Sequence, residues 1–399
     1  MQQNKTKQYD IAIIGAGPAG YFSAIKLLEK NPQINIVLFE KCAKPLQKFL
    51  ITGNGSCNFT HSGTIDEFLR KYGNNGRFLQ NGFYNYFNED FVEFLESNGI
   101  KTICREDGKY FPKSMKANEI RDLFIEKTKT ITTKLETSVT NVSKSRNTFK
   151  IQTNNKDFFV ENILITTGGK SVPSTGSTGD GYEFAKSLGH TIIQPKQSLA
   201  SIYSKNFELA DCSGISFENV SLKIGKKQYN GPLLITHKGL SGPLIIDNSR
   251  NFYVNDVLKI SFINETLEKF EKNIRLNPNE TILSSLKQYS IPKKLIQFFC
   301  SKYTIDVDKK IAEISNKSIK TLAENLIAYP FTITGIEGFE SCMCTAGGVS
   351  IKEINSKTLE SKFVQGLYFI GEVLDIDGDS GGYNLQAIWS ESALFAEHF

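Results

Sequence analysis

Six residues, Gly15-Ala16-Gly17-Pro18-Ala19-Gly20, constrain this chain more than any others. They follow an apolar run from Tyr9 to Ile14. They precede a helical stretch, beginning near Pro18, in which Tyr21, Ala24, Ile25, Leu27 and Leu28 supply one apolar face; a second apolar run then goes from Ile34 to Glu40. Strand, helix and strand in that order predict a βαβ unit. At such a turn the first glycine permits the tight bend, the second lets the backbone approach a pyrophosphate, and the third lets helix and strand pack closely. The helix N-terminus then faces the anion. Glu40, at the end of the second strand, is placed to accept hydrogen bonds from a ribose. The prediction is a bound dinucleotide, and the alternative is an empty turn beside a surface glutamate.

The remaining organisation follows from pattern and length. A chain of 399 residues has room for two or three domains. Asn88 to Ser97 reads as an amphipathic helix with Asn88 as its N-cap, Ser138 to Val160 as short antiparallel strands, and Asn162 to Thr167 as a buried strand. After His190 the chain turns to short β-like runs through Ile260, then to a lysine-rich helical stretch from about Asn264 to Ala328. Leu367 to Ile370 returns to buried-strand composition, and Gln386 to Glu397 closes the chain as a helix. The predicted architecture is α/β: a discontinuous two-dinucleotide-binding, Rossmann-like domain over 1–190 and 336–399, with an inserted β-rich and helical domain over 191–335.

A formal net charge of +5 is mild, and the lysines lie scattered among acids, so no nucleic-acid partner is expected. Met1 to Asp10 is polar, without the apolar core of a signal peptide, and no apolar run reaches the length of a membrane span; a cytoplasmic protein with no membrane partner is expected. Seven widely spaced cysteines do not make a disulfide framework. The close pair Cys342 and Cys344 lacks the partners of a metal site.

Several further segments bear a resemblance. Lys48 to Thr60 (K-F-L-I-T-G-N-G-S-C-N-F-T), Glu106 to Pro112, Thr167 to Tyr182, Thr236 to Pro243, and the tail from Thr345 through Gly381-Gly382-Tyr383-Asn384 resemble, in order, the signatures of the BaiN/YhiN-like flavoproteins. That family includes enzymes described as aminoacetone oxidases. The resemblance implies non-covalent FAD, with Gly53, Asn54, Gly55 and Asn58 lining the flavin, and Gly371, Glu372, Gly382, Tyr383, Asn384 and Leu385 covering its ribityl chain and one edge. Lys41, Lys48, Cys57, Val139, Thr167, Gly168 and Gly169 complete the candidate cofactor contacts. The last three, with Gly176 to Gly181, are similar to the flavin domain of fumarate-reductase-like enzymes. The chain departs from the family at Leu46-Gln47, Ser56 and His61. Two positive charges are thereby missing from the loop, at Gln47 and Ser56, so a member's substrate does not transfer.

Function follows as an expectation: an FAD-dependent oxidoreductase moving a hydride between the flavin and a small organic substrate, as an aminoacetone-oxidase-like enzyme or as a reductase fed by NAD(P)H. The rival is a flavin-binding redox sensor that recognises a macromolecule. No second strand-linked glycine fingerprint is evident, so a dedicated nicotinamide domain is not expected. His237 is the acid–base candidate among four histidines, and Cys57 the candidate redox thiol. Oligomeric state is left open.

Overall fold

The computed structural model describes residues 9–399 and separates into two compact units. The part of the N-terminal expectation covering Met1 to Gln8 lies outside the described residues. The first unit runs to Ser198 and resumes at Phe339; the second is Leu199–Gly338.

Five parallel strands form the main sheet of the first unit, in the order Leu367–Phe369, Asn162–Ile165, Ile11–Ile14, Ile36–Phe39, Thr132–Lys134. Parallel strands covered on both faces need continuous apolar runs. The central strand is IAII and its neighbour IVLF, each buried at every position. Ile11 pairs in register with both Ile36 and Asn162, which sets the ends of the three strands side by side. The helix Pro18–Lys30 starts at once after the turn, with Pro18 at its first position where no N–H is needed.

The chain returns after residue 338 to complete this unit. The closing helix, Tyr383–His398, begins three residues before the predicted Gln386 and is buried on nearly all sides. Small residues let it approach the first helix: Ser23 Oγ and Ser392 Oγ are 3.0 Å apart in the interior. Trp389 stacks on Phe91 at 4.3 Å and donates its indole N–H to the carbonyl of Phe59. The helix Asn88–Ser97 occurs where expected, but the cap position is Phe87, whose N–H donates to the Asp90 carboxylate at 2.6 Å. Asn88 is instead the first helical residue, and its side chain donates to the His61 carbonyl.

The second unit holds a seven-stranded sheet and four helices between Leu267 and Ile327. Its core is separate from that of the first unit. Its first boundary corrects the sequence reading at residue 191. The strand Ile192–Ser198 pairs antiparallel with Cys344–Val349, and that backbone ladder ties 191–198 to the first unit. None of the seven cysteines is joined in a disulfide. Among the described residues, no cluster of His, Cys, Asp and Glu could hold a metal, and no helix is long and apolar enough to cross a membrane.

Candidate functional site: a cleft across the ends of the parallel strands

A cleft opens in the first unit at the C-terminal ends of its central strands, where open parallel sheets bind their ligands. Gly15, Ala16, Gly17, Pro18 and Ala19 border it, as do Glu40, Lys41, Lys48, Val139, Thr167, Gly168, Gly371, Glu372, Asn384 and Leu385. Two helix N-termini therefore face one space, that of Pro18–Lys30 and that of Tyr383–His398. Each presents first-turn N–H groups that have no acceptor within the helix.

The three fingerprint glycines differ in what requires them. Gly15 has φ +109°, and a Cβ there would stand 2.6 Å from the Thr166 carbonyl oxygen. A Cβ on Gly20 would overlap the Gly15 carbonyl oxygen. A Cβ on Gly17 would meet no protein atom within 4 Å, and its φ of −82° suits any residue. The protein's own packing does not call for glycine at 17. The open space at Gly17 lies in the cleft, where a side chain would occupy the room a pyrophosphate needs, so the residues present fit a dinucleotide. Glu40 supports the same conclusion. Its carboxylate is held by the N–H of Ala16 at 3.1 Å and of Cys42 at 2.8 Å, which leaves lone pairs on both oxygens for ribose hydroxyls.

Charge in the cleft is largely paired. Lys41 donates to Asp180 at 2.6 Å and also to Thr178. Lys48 donates to Glu372 at 2.6 Å and to Ser171. The other Glu372 oxygen accepts from Ser171 Oγ at 2.8 Å and from the Thr345 N–H at 2.9 Å, fixing the carboxylate on three sides. Lys44, on the cleft rim, has no carboxylate partner among the described residues. Glu391 is a different case. It sits on the closing helix, 2% exposed, and accepts from the Gly371 N–H at 2.7 Å. Burial pushes its carboxyl up to about 8.

The remaining candidates stand elsewhere. Gly20, Gly169, Gly382 and Tyr383 pack beneath or beside the cleft: a Cβ on Gly169 would strike Thr345 and Glu372, and one on Gly382 the Thr60 carbonyl. Tyr383 stacks on His61 at 5.0 Å, and its carbonyl accepts from the Tyr72 hydroxyl. Gly53, Asn54, Gly55, Cys57 and Asn58 do not border the cleft either; of their loop only Thr52 does. Asn58 Oδ1 is buried there without a partner among the described residues. Cys57 is fully buried, and burial pushes its thiol up to about 12. It is a neutral packed thiol, which corrects its candidacy as a redox nucleophile. His237 lies exposed on a turn of the second unit, between the strands Lys227–Ile235 and Gly239–Ser241.

The profile of the HI0933-like protein Rossmann domain matches residues 9–398. The chain belongs to this family. It is 32% identical over 395 residues to the ribosomal RNA dihydrouridine synthase of Haemophilus influenzae, covering 95% of this chain and 96% of that one. A second relative, the 3-dehydro-bile acid delta(4,6)-reductase of Clostridium scindens, is 28% identical, with 96% and 97% covered. Among solved structures, a quinol fumarate reductase of Escherichia coli shares the fold at a TM-score of 0.51 and 14% identity, over 98% of this chain and 69% of that one. As a member of the HI0933-like family, the chain is an FAD-dependent oxidoreductase built on a Rossmann-type parallel sheet. In that role Glu40 and the first turn would hold the adenosine and pyrophosphate, and the residues at the start of the closing helix the flavin end.

Proposed function

We propose that this protein is a reductase that saturates a carbon–carbon double bond conjugated to a carbonyl, and that its substrate is a uracil ring in RNA. The observation that carries the proposal is that relatives matched over almost their whole length bear names describing the same change. A dihydrouridine is a uridine with its ring double bond saturated, and a delta(4,6)-reductase saturates a dienone. Aminoacetone, and the oxidase direction with it, has no support from these relatives. FAD, when bound, supplies the hydride chemistry, and the chain supplies orientation and exclusion of water. Electron balance requires two electrons from a donor, for which NAD(P)H is the proposed source, and a proton for the ring carbon that does not receive hydride.

RNA as substrate departs from the expectation of a small molecule and no nucleic acid. That expectation rested on a mild whole-chain charge and on lysines scattered among acids along the sequence. Residues 199–338 hold eighteen Lys and Arg against fourteen Asp and Glu, +4 of the chain's formal +5, so the basic character belongs to one unit.

The test mixes the holoprotein anaerobically with NADPH or NADH, follows bleaching of the flavin band, then adds unmodified ribosomal RNA. Digestion and mass spectrometry should find uridines heavier by two hydrogens. Reduced flavin that discharges only into a steroid dienone, with RNA mass unchanged, would overturn the RNA substrate and keep the reductase.

A further inference from the structure

The second unit carries a sheet face that its own fold leaves open. In its seven-stranded sheet, Ser216–Ile224 lies between Val257–Ser261 and Lys227–Ile235, so it is not an edge strand, and Val257–Ser261 is itself flanked by Tyr329–Thr332. One face is apolar and buried, with Leu222, Leu258, Ile260 and Phe331 in the unit's core. On the other, register builds two polar rows. Gln228, Lys223 and Lys259 stand side by side across three strands, and Asn230, Ser221 and Ser261 form the adjacent row. Lys226 is exposed in the hairpin turn beyond the end of these rows.

Lys223 and Lys259 are direct cross-strand neighbours, an arrangement that destabilises a sheet through like-charge repulsion. Neither has a carboxylate partner among the described residues. Glu265 borders the same groove, but its carboxylate is engaged by Lys269 at 3.0 Å and by Asn273. Protection of a sheet edge, a common use of lysine, does not account for the pair, since neither strand is an edge. Around the lysines lie neutral donors and acceptors. Ser221 Oγ bonds Asn230 and also Asn264, whose side chain is exposed at the groove margin. Repelling cations flanked by amides and hydroxyls suit a polyanion with hydrogen-bonding edges.

We propose that this face binds the phosphate backbone of RNA, with Lys223 and Lys259 each neutralising a phosphate and Gln228, Asn230 and Asn264 meeting sugar or base edges. The assignment rests on the RNA substrate proposed above. Its test is fluorescence anisotropy of the holoprotein with a labelled single-stranded RNA longer than the ~16 nucleotides that one binding fold covers, across a salt series. For single strands, two lost phosphate contacts lower the slope of log K against log salt by about 1.4, which corresponds to roughly 25-fold weaker binding at 0.1 M salt. Lys223→Gln with Lys259→Gln should show that loss, while Lys287→Gln with Lys309→Gln, the same charge change on the same unit, should show much less. FAD content and melting temperature establish that both variants are folded. Equal losses in the two double variants would overturn the face while sparing the RNA substrate. No binding of RNA by the unaltered protein, or binding to phosphatidylserine vesicles in its place, would overturn both.

Discussion

The turn at 15–20 and the loop at 53–58 are two of the glycine-rich segments on which the cofactor site was expected, and they use glycine in opposite ways. In the loop, Gly53, Asn54, Gly55 and Cys57 all have positive φ, and a Cβ on Gly53 would press on the Asn58 N–H. Glycine there serves the chain's own path. In the turn, Gly15 and Gly20 are likewise needed by the chain, but Gly17 stands in open space at the cleft. A glycine that its own protein does not need is the one that marks the ligand.

Exchanging these glycines should give the largest effects. Gly17→Val should leave folding within about 1 kcal/mol, as for a surface change, yet release FAD; yellow, stoichiometric holoprotein from that variant would dissolve the distinction. Gly20→Ala forces a methyl group into backbone and should lower stability by about 1–3 kcal/mol or more in urea melts, with soluble yield falling.

Glu391 tests the closing-helix side of the cleft through pH. Its folded value is raised above that of an unfolded glutamate, so the folded state binds the extra proton. The resulting stability is complete below the unfolded value and is lost as pH rises through about 8. Glu391→Gln, which keeps an acceptor for the Gly371 N–H, should flatten that decline and make the protein more stable near neutrality. An unchanged pH profile would mean that the carboxylate is solvated.

The smallest effect is expected in the loop. Gly55→Ala places a side chain at φ +87° and should cost about 1–2 kcal/mol. Its FAD affinity should not change. A clear fall in affinity, measured by flavin release on dilution, would bring the loop back to the cofactor and erase the contrast with the turn.

Legibility in the sequence followed the range of the interactions. The first βαβ unit was readable because its strands, turn and Glu40 are dictated within thirty residues by continuous apolar runs and the steric needs of glycine. Glu391 was not. Nothing in the spacing of a helix buried on all sides separates an acid facing a cleft from one facing water. Ile192–Ser198 read as the start of a new domain because Gln194, Lys196 and Gln197 make it polar, although its ladder partner lies more than a hundred residues later. Lys223 and Lys259 looked scattered along the chain, and only antiparallel register makes them neighbours.

The return of residues 339–399 to the first unit also orders events during synthesis. When Ser198 leaves the ribosome, the parallel sheet still lacks the strand Leu367–Phe369, and the cleft lacks the helix that closes one end. At ~5–20 residues per second, the intervening unit and the returning segment take roughly 10–40 s to emerge. The second unit, whose strands and core come from one continuous stretch, has all its sequence first. FAD therefore meets a finished site only after translation of the tail, and until then the aromatic surface around Phe22 and Phe91 waits uncovered for Trp389.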